Sequence, residues 1–212
     1  MIEPMRRPAR VPLIFALGAV LGTAGDQLHL RSGVLSCGWP LLFGQPLWVP
    51  LLFGAAGVVL VLSHAPLLRL ARGRPPRASG LGFARSVLWF YAAYACTALF
   101  RDAPLALTAA LVGAWAARVA LAPATDKLAA GVIYAIAGAV FESALSATGA
   151  FHYRRPDLLL VPEWLPALYL HVSLMTRKAY LVFVAESPVP EAPGGETRGR
   201  LRRAPPGRMP PG

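Results

Sequence analysis

Six stretches of mostly apolar residues dominate the sequence, each near the ~20 that carry an α-helix across a bilayer core of roughly 30 Å. They fall at about 11–28, 47–68, 84–100, 103–122, 128–150 and 164–185. In lipid a backbone must satisfy its own hydrogen bonds, so such runs fold as helices. The expected fold is therefore all-α, a polytopic membrane protein built as a six-transmembrane-helix bundle. Composition agrees. Of 212 residues, 56% are apolar and 15% charged, against about 25% charged in soluble domains. Too few charges remain to coat a water-soluble enzyme. Cys37 and Cys96 match no metal-ligand spacing, and no phosphate-loop, zinc-protease or serine-elbow motif occurs, so no catalytic, metal or cofactor site is expected.

The formal charge of +11 reads as topology rather than as a nucleic-acid surface. With the amino terminus placed in the cytoplasm, all of the 21 Lys and Arg except Arg31, Arg101, Arg154 and Arg155 fall on the cytoplasmic side. An odd number of spans would put the basic carboxyl end on the wrong side, so both termini are expected inside. The organisation predicted is a basic amino terminus (1–10), a membrane domain (11–185) and a disordered basic Pro/Gly-rich tail (186–212). A cleaved signal peptide is the alternative for the first run, but no small-x-small site leads there into a polar domain. The arginine excess (only Lys127 and Lys178 are lysines) together with abundant Ala, Gly and Pro suggests a GC-rich, bacterial source, hence an inner-membrane location.

Between spans three and four, Asp102 is expected to cap the fourth helix, with Pro104 in its first turn. Thr125 or Asp126 is expected to cap the fifth, and Pro166 to kink the start of the sixth. Ionisable groups within spans are costly and mark function by default. Glu142 is the sharpest, on a stripe with Tyr134 and Gly138 at four-residue spacing. Either it anchors a lipid headgroup or it forms an interhelical hydrogen bond. Tyr169, Ser173 and Thr176 share a face of span six, while His171 looks elsewhere. Glu142 and His171 as an acid–base pair would make the chain a membrane enzyme of isoprenoid or carotenoid metabolism, the alternative reading. A transporter would need matched halves, and no convincing internal repeat is evident. Asp26, Gln27 and His29 read as interface residues, His64 as the end of span two, and Arg118 as a side chain snorkelling to the cytoplasmic surface.

Two stretches carry a family likeness. One is Leu47-Trp48-Val49-Pro50 leading into Gly54-Ala55-Ala56-Gly57. The other is Gly149-Ala150-Phe151-His152-Tyr153, then Pro156-Asp157-Leu158 and Trp164-Leu165-Pro166. Both resemble the Insig (insulin-induced gene) proteins over residues 11–185. The resemblance implies a non-enzymatic bundle holding a sterol- or diacylglycerol-type lipid in an intramembrane pocket, with a membrane-protein partner in the eukaryotic members. The polar candidates for that pocket are Glu142, Tyr134, Tyr169, Ser173 and Gln27, and the apolar ones Trp48, Phe53, Trp89, Phe90 and Phe141. The family's Asp-Arg-Ser-Arg-type partner loop is replaced by Ala122-Pro123-Ala124-Thr125-Asp126-Lys127, where Asp126 is the candidate partner contact. No nucleic-acid partner is expected, and the oligomeric state is left open.

Overall fold

The structure, a computed structural model, describes residues 7–69 and 78–185. The disordered-tail reading, most of the basic amino terminus and the Pro75-Pro76 linker lie outside the described residues. Among the described residues, seven helices and two short strands run in the order α1 (Arg7–Ser32), β1 (Leu35–Cys37), α2 (Trp48–Leu62), α3 (His64–Leu68), α4 (Gly80–Leu99), α5 (Pro104–Ala120), α6 (Thr125–Ala147), β2 (Phe151–Tyr153) and α7 (Leu165–Phe183). They form the six expected spans, because α3 continues α2 after a break at Ser63. Pro66 has no N–H to offer the Leu62 carbonyl, which interrupts the ladder there.

Helix starts use fewer side-chain caps than the sequence suggests. Ser79 caps α4 through Gly82 N at 3.1 Å. The caps of α5 and α6 are Ala103 and Ala124, neither with a side-chain bond. Asp102 instead faces Arg155 and Arg101. Pro166 sits in the first turn of α7, where a missing N–H is harmless, and starts the helix rather than kinking it.

Among the described residues, only the segments Arg10–Ser32, Trp48–Leu68 and Thr125–Ala147 are both long and apolar enough to cross a membrane on their own composition. The last helix is different in kind. α7 packs against every other helix, and most of its residues, among them His171, Ser173, Thr176 and Arg177, are buried. A helix surrounded by protein can carry polar groups, provided each finds a partner. Leu105, Ile136, Val140 and Val59 lie exposed on the outer helices, as a lipid-facing surface requires.

Beyond the ends of α1 and α6 lies a feature the periodicity does not announce, a two-stranded antiparallel sheet pairing Leu35 with Tyr153, Ser36 with His152 and Cys37 with Phe151. Its central partners are 116 positions apart, and that same spacing maps one whole region of the chain onto another. Gly33 and Gly149 both adopt positive φ, 69° and 78°. The bridge Leu42–Gln45 recurs as Leu158–Val161. Phe43 and Leu159, inside those turns, both have positive φ, 51° and 55°. The bond Gly38 N–Ala150 O (3.1 Å) recurs as Arg154 N–Val34 O (3.0 Å). Pro40, Pro46, Trp48 and Pro50 correspond to Pro156, Pro162, Trp164 and Pro166.

The correspondence continues into the helices. A Cβ on Gly22 would strike Phe53, and one on Gly138 would strike Tyr169. Gly54 makes room for Phe15; in the other copy the counterparts Leu170 and Gly131 are again neighbours, at 3.4 Å from a Cβ built on Gly131, although the atoms that Gly131 makes room for are those of Trp115. The crossing is the same with the large and small partners exchanged. The unit α1-β1-α2 is thus repeated as α6-β2-α7, and the expectation of no internal repeat is corrected. Only a handful of side chains are identical between the copies, whereas the backbone turns are kept.

Candidate functional site

Where the two copies face each other, α1, α2, α4, α6 and α7 enclose a cavity of about 450 Å³. It extends from Asp26 and Glu142 near the sheet to Ile14 and Phe183 near the opposite end. The twelve residue-to-residue steps of α1 from Ile14 to Asp26 correspond to roughly 18 Å of helix. Its walls are almost wholly apolar, and its few polar groups are concentrated at the sheet end. Glu142 is held there by two phenols. Tyr169 Oη donates to Oε1 at 2.6 Å, and Tyr153 Oη donates to Oε2. The Tyr153 hydroxyl, on β2, is pushed well above the usual phenol range, first by burial and then by Glu142. It therefore stays protonated and able to donate.

Asp26 lines the same end of the cavity and is the counterpart of Glu142 at the 116-residue spacing. Its Oδ2 accepts a 3.4 Å bond from Gln45 Nε2, and Gln45 is fixed in turn by Gln27 Nε2 at 2.8 Å. Asp26 is thus no bystander at the interface. Gln27 does not line the cavity; it orients the residue that touches Asp26. Cys37, the counterpart of Tyr153, lies at the rim, and its thiol is pushed up to about 11 by burial and by the charge of Asp26.

Of the remaining sequence candidates, Trp48, Phe53, Phe90, Phe141, Tyr134 and Tyr169 line the cavity. Tyr134 does so lower down, where its hydroxyl bonds Ser63 Oγ at 2.7 Å and the Leu60 carbonyl, bracing the break between α2 and α3. Ser173 and Trp89 do not line it. Ser173 Oγ is spent on Leu170 O at 2.7 Å. Trp89 lies under the Arg118 guanidinium, 5.2 Å from the ring centre, on the outer side of the bundle.

His171 is two residues from Tyr169, about 200° round the helix, and so faces away from Glu142. Its Nδ1 accepts from Arg118 at 3.0 Å and its Nε2 donates to Leu111 O at 3.0 Å. Glu142 and His171 share no hydrogen bond, and the acid–base pair is not assembled. Arg118 accordingly does more than snorkel. His29 and His64 are also interior rather than interfacial: His29 bonds Thr97 at 2.7 Å and stacks on Tyr94, and His64 bonds Thr176 at 3.0 Å. Asp126 is fully buried in an ion pair with Arg177, so its carboxylate is not presented to a partner.

No protein-family model matches the chain. An Insig protein homolog from Mycolicibacterium vanbaalenii is 31% identical over 194 residues, 86% of this chain and 90% of that protein. The chain belongs to the Insig family. Two crystal structures of the mycobacterial Insig homolog MvINS match with a TM-score of 0.75 at 26% and 27% identity, covering 87% of this chain and all of theirs. One of them is a cross-linked trimer. The Insig membership is an identity of architecture, six membrane-spanning segments around a common core, and it fits the two motif stretches, which are the two copies of the sheet-and-turn unit described above.

Proposed function

We propose that this Insig-family chain is a non-enzymatic lipid receptor that holds one amphipathic lipid, of sterol or diacylglycerol type, in its central cavity. The observation carrying this reading is an apolar cavity between the helices whose polar end presents a carboxylate already positioned by two tyrosines. Binding pockets are mostly apolar, with a few placed polar groups that fix orientation. The lipid hydroxyl lies against Glu142, its body against Phe53, Phe90 and Phe141, and Tyr134 supports the lower wall. Trp48 lies beside the polar end. Gln27 and Ser173 serve indirectly, by holding Gln45 and the α7 backbone.

Both termini face the cytoplasm, in a bacterial inner membrane. A membrane-protein partner reads the filled state of the cavity, and the assembly expected is a trimer like that crystallised for MvINS. Asp126 contributes to partner binding only by shaping the α6–α7 end from within.

Native mass spectrometry after gentle detergent extraction tests the reading. A single saturable lipid adduct is expected, and Glu142→Ala should remove it while leaving the protein monodisperse. A delipidated sample that takes up no lipid to saturation, with Glu142→Ala indistinguishable from it, overturns the proposal.

A further inference from the structure

The cavity wall can be followed helix by helix. α2 packs on α1, α1 on α4, α4 on α7, and α7 on α6. The circuit does not close, because α6 and α2 both line the cavity and yet are not packed against each other. Ala55 and Val59 on α2, with Ala137 and Phe141 on α6, line the cavity and are exposed as well. Two of these four are alanines, whose side chains do little to bridge the gap.

The two ends of the cavity are stopped. Strand residues Leu35, Cys37, Phe151 and Tyr153 roof it where β1 and β2 pair. At the end opposite the sheet, Val61 of α2 and Ala179 of α7 share one apolar cluster. There Phe183 also meets Phe83 edge to face, with ring centres 5.3 Å apart, and Arg10 donates to the Val184 carbonyl at 3.1 Å. Partway along the gap, the Tyr134 hydroxyl ties α6 to Ser63 and to the Leu60 carbonyl. Tyr134 lies near the middle of α6. The eleven steps from Tyr134 to Leu145, the last α6 residue lining the cavity, span roughly 16 Å of helix. Among the described residues, the open part of the wall is thus a slot in the half of the bundle that carries the sheet.

We infer that the lipid enters sideways through this slot between α2 and α6, and that it is drawn from the leaflet on the sheet side of the membrane. This route rests on the receptor reading and adds to it a passage and a source. The polar end of the cavity lies at the sheet, and its apolar part runs from there toward the opposite end. A lipid in the sheet-side leaflet already holds its hydroxyl outward and its chains toward the bilayer centre. It slides in without turning over. A lipid of the other leaflet would arrive inverted, with its hydroxyl among apolar side chains, where an unpaired hydroxyl is costly. Sideways passage also keeps the lipid body in hydrocarbon throughout, so no apolar surface has to cross water.

A plug inserted and removed after folding tests the passage. Ala55→Cys or Ala137→Cys, each with Cys37→Ser and Cys96→Ser, is modified with a bulky thiosulfonate and later released by dithiothreitol. The full-length protein sits in nanodiscs with dioleoylglycerol or cholesterol as probe, and native mass spectrometry follows replacement of the unlabelled probe by its deuterated form. The adduct should slow exchange about ten-fold or more and leave equilibrium occupancy within about two-fold, since an obstruction raises the barriers to entry and exit alike. Reduction should restore the rate. The same adduct at Ala116→Cys, exposed on α5, should change nothing. Should the serine background misfold, Ala55→Trp in the otherwise unaltered chain should slow exchange in the same way. For the source, a bimane on the same two cysteines should be quenched by spin-labelled phosphatidylcholine confined to the sheet-side leaflet. The same lipid in the opposite leaflet should leave it bright.

Exchange indifferent to adducts at both slot positions, or slowed equally from Ala116→Cys, overturns the passage and leaves the receptor intact. Occupancy that falls as far as the rate would make Ala55 and Ala137 contacts of the bound lipid, and overturns the passage too. Quenching from the opposite leaflet overturns the source. Failure of both probes to bind the unmodified protein overturns the receptor reading and the route together.

Discussion

The two copies of the repeated unit share a backbone and differ in what fills it. In the first copy, α1 and α2 meet through glycine: a Cβ on Gly18 would lie 2.6 Å from the Phe53 carbonyl oxygen and 3.1 Å from Gly57 Cα. In the second, the positions of Gly18 and Gly57 hold Tyr134 and Ser173, so the glycine contact is replaced by larger side chains. Phe53, apolar, becomes Tyr169, a donor to Glu142. Arg10 and Val61 become Asp126 and Arg177, a buried ion pair. One copy was tuned for close approach and the other for polar networks. The cavity between them inherits an acid from each. A fold repeated within one chain fixes where the helices cross, while the side chains at equivalent positions remain free to take separate tasks.

Four measurements would break or sharpen that comparison. The largest effect is expected at the Asp126–Arg177 ion pair, where the first copy has Val61 in place of Arg177. Arg177→Met leaves Asp126 charged and uncompensated in the interior and should cost about 3–5 kcal/mol of stability, read by thermal unfolding in detergent. Adding Asp126→Leu should restore most of it; a double variant no better than the single one would mean the pair is not what Arg177 supplies. Next, Gly18→Val drives a side chain into the backbone of α2 and should cost roughly 1–3 kcal/mol. Gly138→Ala should cost less, because the atoms it meets belong to the Tyr169 ring, which can swing aside. That movement should show as weakened lipid uptake instead.

Third, Tyr169→Phe makes the second copy resemble the first and removes one donor to Glu142. About 1 kcal/mol of stability should be lost, and an unchanged melting curve would show that the phenol is replaced by other donors. The smallest effect is kinetic. Cys37 and Tyr153 occupy equivalent strand positions, and in both burial, then a neighbouring carboxylate, raises the acid group. With its thiol near 11, Cys37 should react slowly with a neutral maleimide at pH 7.5, since the thiolate is the nucleophile. The rate should rise until the pH passes that value. Asp26→Asn removes a negative neighbour, lowers the thiol's pKa and should accelerate alkylation a few-fold. No change in rate would separate Asp26 from the Cys37 rim.

Much of the cavity lining was within reach of the sequence. Glu142, Tyr134 and Tyr169 follow from polar residues on the faces of apolar helices, and Phe53, Phe90, Phe141 and Trp48 follow from their neighbourhood. Asp26 and Gln45 were not legible as site residues, because an acid at a helix end and an amide in a loop are ordinary interface features until a second helix is laid beside them. The signal that could have exposed Asp26 was the pair Trp48-x-Pro50 and Trp164-x-Pro166. Aligning those two motifs brings Asp26 onto Glu142. The three-residue strands are too short for alternation to register, and the conserved turns of the repeat reside in φ angles rather than in residue identity.

Partition between lipid and water depends on composition summed over some twenty residues, so the apolar runs, their approximate limits and their all-helical character were written in the chain itself. Partnering of single polar groups depends on one atom meeting another from a distant segment. His29 with Thr97, His64 with Thr176, His171 with Arg118 and Asp126 with Arg177 are joined across 51 to 112 positions. Only the packing of the helices against one another, α7 above all, decided which buried polar groups are satisfied and which carboxylates line the cavity.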